Sequence, residues 1–207
     1  MIGIFGGTFD PIHYGHLRPA LEVQRALTMQ QVRFVPCFIP VHREEPGAAS
    51  GQRLAMLQLA VEDVPGFVVD TRELDREGPS YMVDTLASLR DEFGDESLVL
   101  IMGQDAFAKL DTWYQWQRLN DLAHILVMTR PGGGLPTTGP LVDWLDRRVC
   151  NNANLLRSER AGRIWLQEVT QLDISATKIR AFAKQDGFRF LTPEPVREYI
   201  EAHGLYC

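Results

Sequence analysis

Between Ile2 and Thr129, short apolar runs alternate with stretches of helical spacing, and that alternation leaves few folds open to the chain. Ile2 to Phe5 reads as a buried strand, apolar on both faces. Gly15 to Met29 places Leu17, Ala20, Leu21, Val23, Ala26 and Leu27 at helical intervals. Val32 to Ile39 is a second strand, Gln52 to Val64 a helix, Phe67 to Asp70 a short strand. Ser80 to Phe93 is helical, with Ser80 as its N-cap and Asp84 in the first turns. Leu98 to Met102 is a strand, Trp113 to Leu122 a helix, and Ile125 to Thr129 a strand stopped by Arg130-Pro131-Gly132. The pattern predicts an α/β fold, a doubly wound, mostly parallel sheet with helices on both faces. Such sheets bind ligands beyond the carboxyl ends of their strands, so the informative loops follow Phe5, Ile39, Met102 and Thr129.

Residues 131–163 change character. PGGGLPTTGP is rich in turn formers and RRVCNNANLLRSERAG is polar and mixed, which predicts an irregular excursion with one helix near Leu141 to Arg148. Ile164 to Val169 is a further strand, and Ser175 to Lys184 and Pro193 to His203 are closing helices. We read residues 1–207 as one domain: a core at 1–130, the excursion, and a closing strand and helices at 164–207. A chain of 207 residues buries roughly 70% of its unfolded surface and needs neither metal nor disulfide to fold. Its net charge of -6 argues against a nucleic-acid partner. Three scattered cysteines suit a reducing cytoplasm and carry no zinc signature. No apolar run approaches the ~18 residues of a membrane span, and no leader is legible.

The strongest chemical signal is GGTFDPIHYGH, residues 6–16. Gly6 and Gly7 let the backbone turn sharply and approach a ligand. Backbone N–H groups there, with the N-terminus of the next helix, favour phosphate. His13 and His16 sit at that helix start and can donate to phosphate oxygens. The alternatives are a tight strand-to-helix turn with two surface histidines, or a zinc site lacking further ligands. There is no G-K-[ST] and no G-x-G-x-x-G, so neither a P-loop nor a hydride-transfer cofactor is implied. Asp10 reads as an Asx-type turn residue beside Pro11. His124 and His203 read as structural or surface residues, and Arg147-Arg148 as a solvated helix face.

The second signal is ISATKIR, residues 174–180. Ser175 can cap the helix, while Lys178 and Arg180 place cations near its positive end, an unfavourable choice unless an anion binds there. Ser175 and Thr177 hydroxyls could hold terminal phosphates. An ordinary capped helix with solvated basic residues is the alternative.

Together these two motifs resemble the nucleotidyltransferase α/β-phosphodiesterase superfamily, which is Rossmann-like. IPVHR (39–43), PSYMVDTL (79–86), IMGQDAF (101–107), DTWYQW (111–116), TRPG (129–132) and the ending PVREYIEAHGLYC narrow the resemblance to bacterial nicotinate-nucleotide adenylyltransferases. It covers residues 1–130 and 164–207. Met82 departs from the family's frequent Thr, Arg43 from its frequent Lys, and Gln104 from a small residue. The resemblance implies transfer of the adenylyl group of ATP to nicotinate mononucleotide, with Mg²⁺, by direct attack without a covalent intermediate. It implies that Gly7, Thr8 and Phe9 line the phosphates, and that His13 and His16 bind ATP phosphates. Arg43 would reach phosphate with His42 beside it, and Gly103 and Asp105 would meet the adenosine half. Ile174, Ser175, Thr177 and Arg180 would hold adenine and the β,γ-phosphates, with Thr85 and Trp113 in the nicotinate pocket. The catalytic set would be His16, His13 and Arg43, with no metal-ligating side chains. From residues alone Trp113 reads as a core residue, and by resemblance as a ring that stacks on the pyridine. Tyr81 is either pocket wall or helix packing. A nicotinamide mononucleotide or phosphopantetheine acceptor, a glycerol-phosphate-type cytidylyltransferase, and a silent nucleotide sensor are the competing readings.

Overall fold

A computed structural model describes residues 1–39, 46–76, 78–130, 138–184 and 187–207. Its strands are β1 (Ile2–Gly7), β2 (Gln31–Pro36), β3 (Phe67–Val69), β4 (Leu98–Gly103), β5 (His124–Thr129) and β6 (Ile164–Glu168). They form one six-stranded sheet in the order β3-β2-β1-β4-β5-β6, and every pairing is parallel. The helices are α1 (Tyr14–Ala26), α2 (Ser50–Val61), α3 (Met82–Phe93), α4 (Gln104–Phe107), α5 (Trp116–Leu122), α6 (Pro140–Asp146), α7 (Ala153–Ser158), α8 (Ala176–Ala183) and α9 (Glu194–Ala202).

The period-two rule of strands sorts the core into two layers. Ile2, Ile4, Leu98, Leu100, Met102, Ile125 and Val127 point to one face, where Val83, Leu86 and Leu89 of α3, Leu119 of α5 and Trp144 of α6 cover them. Phe5, Val99, Ile101, Leu126 and Met128 point to the other, under Leu17, Ala20 and Val23 of α1, Met56 and Leu57 of α2, Ile179 of α8 and Val196 of α9. Helices on both faces force strands that are apolar throughout, which is why the runs read from sequence are continuous rather than alternating. The doubly wound α/β class is therefore as expected. Strand order reverses between β1 and β4, so their adjacent carboxyl ends open a crevice at the switch point.

Several local expectations need correction. The helix expected over Trp113 to Leu122 begins only at Trp116. A 3-10 turn (Leu110–Thr112) precedes it, Trp113 is extended, and Gln115 has a left-handed φ of 50°, which no α-helix continues. Ser80 does not cap α3, whose N-cap is Tyr81 without a side-chain bond. The Ser80 hydroxyl is used elsewhere, accepting from the Phe38 N–H at 2.9 Å. The excursion holds two helices among its described residues, not one. The second, α7, is capped by Asn152, whose side chain accepts from the Asn154 N–H, and it buries Leu156. Ser175 caps α8 as expected, its hydroxyl accepting from the Lys178 N–H.

Candidate active site

The loop leaving β1 is held from three sides. Arg53 projects from α2 and is 1% exposed. Its guanidinium donates to the carbonyls of Thr8 (2.7 Å), Cys37 (2.8 Å) and Phe38 (3.3 Å). One buried cation thus ties the glycine loop to the end of β2. Phe9 follows with a φ of 49°, uncommon for a bulky residue, and its buried ring meets Phe5 and His16 edge-on, at 5.9 and 5.3 Å. Asp10 is no local Asx turn. Its carboxylate accepts from the N–H groups of Gly47 and Ala48 and from the Tyr206 hydroxyl, and Arg180 lies beside it.

His13 is the N-cap of α1 and is buried, its ring lying 3.8 Å from that of His16 and tilted 30° to it. The glycine between them is a steric requirement. A Cβ on Gly15 would sit 2.9 Å from the His13 ring and 3.0 Å from the Ile174 carbonyl oxygen. That contact also brings the second motif against the first. Burial pushes the His13 imidazole down to about 4, so the ring is neutral at pH 7 until an anion approaches. The first turn of α1 contains no acidic residue, which leaves its positive end open to an anion.

In front of His16 lies a cavity of about 500 Å³, an ordinary size for a small-molecule site. Gly6, Gly7, Thr8 and Phe9 form its floor and His16 its flank, with Gly103 and Asp105 from the β4 end opposite. Tyr81, Trp113 and Tyr114 form an aromatic wall, in which Tyr81 and Tyr114 pack at 4.6 Å. Met82 also lines the cavity, its methyl within 2.5 Å of where a Gly6 Cβ would stand. At this position the chain uses an apolar cover for the glycine rather than a hydroxyl. Arg130 and Lys109 supply positive charge, and Arg130 lies 3.5 Å from the exposed Asp105 carboxylate.

The remaining expected residues fall into three places. Ile174, Ser175, Thr177 and Arg180 do not line the cavity; the Ile174 carbonyl lies against Gly15, and Arg180 donates to the Asp10 carbonyl. Thr85 is fully buried behind the wall, donating to the Glu73 carboxylate. His42 and Arg43 lie outside the described residues. Lys178 and Arg180 each have an acidic neighbour, Lys178 with Asp173 at 2.7 Å and Arg180 with Asp10 at 3.5 Å. Part of the charge that seemed to demand an external anion is therefore answered within the chain. His124 is structural as expected. It is buried, it accepts from the Arg163 N–H at Nδ1, and its Nε2 therefore donates to the Glu159 carbonyl.

Two residues of the site were not legible as such. Arg53 shares a stripe with Met56, Leu57 and Ala60 at helical spacing, and a lone cation on an apolar stripe is a usable signal. Glu73 lines the cavity although it is 3% exposed. Burial raises its carboxyl pKa, outweighing the hydroxyls of Thr85 and Ser80 that pull it down. Nothing in TRELDREG separates it from solvated acids. Among the described residues no cluster of His, Cys, Asp and Glu could hold a metal, and no helix is long and apolar enough to cross a membrane.

Comparison with known proteins gives this arrangement a family. The cytidylyltransferase-like family model matches residues 4–182. A probable nicotinate-nucleotide adenylyltransferase of Methylococcus capsulatus is 48% identical, over 100% of both chains. The chain belongs to the nicotinate-nucleotide adenylyltransferase family. A further member, from Marinomonas sp., is 44% identical over 99% of this chain and 94% of its own. Among solved structures, the Plasmodium falciparum nicotinic acid mononucleotide adenylyltransferase complexed with NaAD has the same fold, with a TM-score of 0.76 at 16% identity, covering 99% and 96% of the two chains. The crystal structure of a putative nicotinate-nucleotide adenylyltransferase from Vibrio parahaemolyticus gives a TM-score of 0.65 at 13% identity, covering 99% and 94% of the two chains. As a member of this family the chain is a nucleotidyltransferase enzyme of NAD biosynthesis.

Proposed function

We propose that the cavity at the β1/β4 switch point joins nicotinate mononucleotide to the adenylyl group of ATP. A 5′-phosphate oxygen of the mononucleotide attacks the α-phosphorus. The new O–P bond forms as the Pα–O bond to the β-phosphorus breaks, and pyrophosphate leaves on the opposite side. Such transfers need positioning and charge stabilisation rather than a protein nucleophile. The observation that carries this reading is one cavity lined both by Gly6, Gly7, Thr8 and His16 and by Tyr81, Trp113 and Tyr114.

In this reading Gly7, Thr8 and Phe9 seat the phosphates at the meeting point, and His16 donates to the oxygens that gain charge. His13, desolvated and packed at a tilt against it, restricts the ring plane of His16 and adds a second donor once phosphate is present. Gly103 and Asp105 face the adenosine. Ile174, Ser175, Thr177 and Arg180 receive the outer phosphates and adenine. Trp113 and Tyr81 enclose the pyridine ring. Thr85 acts from behind, through Glu73 and the first turn of α3. The two members of the set outside the described residues, His42 and Arg43, come after β2 in the sequence and are assigned to the mononucleotide phosphate. Mg²⁺ arrives with ATP, because Mg²⁺ keeps its waters and is held largely by phosphate oxygens. The two phosphate motifs meet where the Ile174 carbonyl lies against Gly15, so residues 1–207 act as one catalytic unit. Cys37, Cys150 and Cys207 form no disulfide among the described residues, which fits the cytoplasm.

The test is pyrophosphate release from MgATP with nicotinate mononucleotide, nicotinamide mononucleotide and phosphopantetheine offered in parallel. Preference for the acid mononucleotide is expected. Preference for either other acceptor, or ATP binding without turnover, would replace this reading.

A further inference from the structure

Tyr206 is the penultimate residue of the chain, 196 positions from Asp10, yet its hydroxyl donates to Asp10 Oδ1 at 2.8 Å. The same carboxylate receives the Gly47 N–H at Oδ2 (2.8 Å) and the Ala48 N–H at Oδ1 (3.1 Å). Arg180 is the third party. Its Nη1 donates to the Asp10 carbonyl at 2.7 Å but stands 3.5 Å from Oδ2, and its Nη2 reaches only to Thr177 Oγ1 at 3.4 Å. Gly47 threads between the two side chains, since a Cβ there would lie 3.2 Å from the Tyr206 ring and 3.3 Å from Arg180 Cδ.

The arrangement divides one carboxylate among several donors. Asp10 is 5% exposed, and a buried carboxylate must be satisfied by hydrogen bonds. Tyr206 and the two amides meet most of that need, so Arg180 is anchored through a carbonyl and is only loosely paired with the charge. Burial, and then Asp10 itself, raise the Tyr206 pKa, which keeps the phenol a donor. Remove the hydroxyl, and Oδ1 keeps only the Ala48 N–H, so the Arg180 guanidinium, already 3.5 Å from Oδ2, would turn inward to the carboxylate. We propose that Tyr206 is a positioning residue whose hydroxyl, by satisfying Asp10, keeps Arg180 presented to the triphosphate of ATP. This rests on the proposed placing of Arg180 at the outer phosphates.

The experiment compares Tyr206→Phe with the parent in the full-length chain, by calorimetric Kd for MgATP, by KM for both substrates and by thermal unfolding. Loss of one hydrogen bond's worth of positioning predicts a Kd and KM for ATP raised about five-fold, with KM for the mononucleotide within two-fold. Arg180→Gln supplies the second background. If Tyr206 acts through Arg180, Tyr206→Phe adds nothing there. An ATP Kd within two-fold of the parent overturns the proposal whatever happens to Tm. So does an equal rise for both substrates, or full additivity with Arg180→Gln. If the parent binds ATP but does not use the mononucleotide, the acceptor reading has failed, while the ATP Kd still decides the role of Tyr206.

Discussion

Acidification should weaken the fold through His13, and the amount can be worked out. The ring is 4% exposed, and its Nδ1 has no hydrogen-bond partner among the described residues. Its pKa falls from 6.5 in the unfolded chain to about 4 in the folded one, because burial penalises the imidazolium. A lowered folded pKa means that the unfolded chain binds more protons between those values. The neutral ring's contribution is therefore fully present above about pH 7 and is lost as pH falls toward 4. Integrating the linkage gives a loss of about 2 kcal/mol between pH 7 and pH 5, and about 3 kcal/mol by pH 4. His13→Asn removes the titration and keeps a polar side chain. It carries its own packing cost, but that cost does not depend on pH and cancels in the comparison. The assay is urea unfolding of both proteins at pH 7, 6 and 5. The parent should lose about 2 kcal/mol more than His13→Asn over that range. Equal losses would refute the reasoning, since they would mean that the folded chain protonates His13 as readily as the unfolded one.

Three further outcomes are expected. His16→Ala should lower kcat by at least ~10²-fold with a smaller change in ATP affinity, the scale for losing a transition-state donor; a kcat within a few-fold of the parent in a pyrophosphate assay would remove His16 from that role. Trp113→Ala should raise KM for the mononucleotide far more than KM for ATP, and equal changes in steady-state kinetics would assign the indole to packing alone. Arg53→Met keeps the volume but deserts the carbonyls of Thr8, Cys37 and Phe38. Denaturant unfolding should show a loss of at least about 3 kcal/mol, and a smaller loss would mean that those carbonyls find water instead.

Much of the fold was legible because its determinants are local. Leu98, Leu100 and Met102 had to share one face and Val99 and Ile101 the other, whatever lay above them. Ser175 could be read as a cap because its partner, the Lys178 N–H, is three residues away. The glycine loop and H-x-G-H were legible for a similar reason, since a steric demand and a donor set within eleven residues leave few other uses. Failures came where a side chain had a distant competitor. Ser80 has the composition of a cap, but the Phe38 N–H, 42 positions off, takes its hydroxyl. Asp10 has the composition of a turn, but Gly47, Ala48, Arg180 and Tyr206 claim its carboxylate. The short helix α7 escaped because two adjacent leucines in a polar stretch give no helical period, and only Leu156 is buried.

The sequence by itself carried the parallel sheet, the motifs GGTFDPIHYGH and ISATKIR and the family resemblance. The sheet follows from periodicities that no tertiary partner alters, and the family from the resemblance that the motifs carry. Only the tertiary structure decided that Trp113 leaves the helix to line the cavity, that Glu73 is buried at its edge, and that Lys178 and Arg180 have acids beside them. Burial and charge pairing are set by what the rest of the chain brings within a few ångströms, and for Asp10 that came from the far end of the molecule.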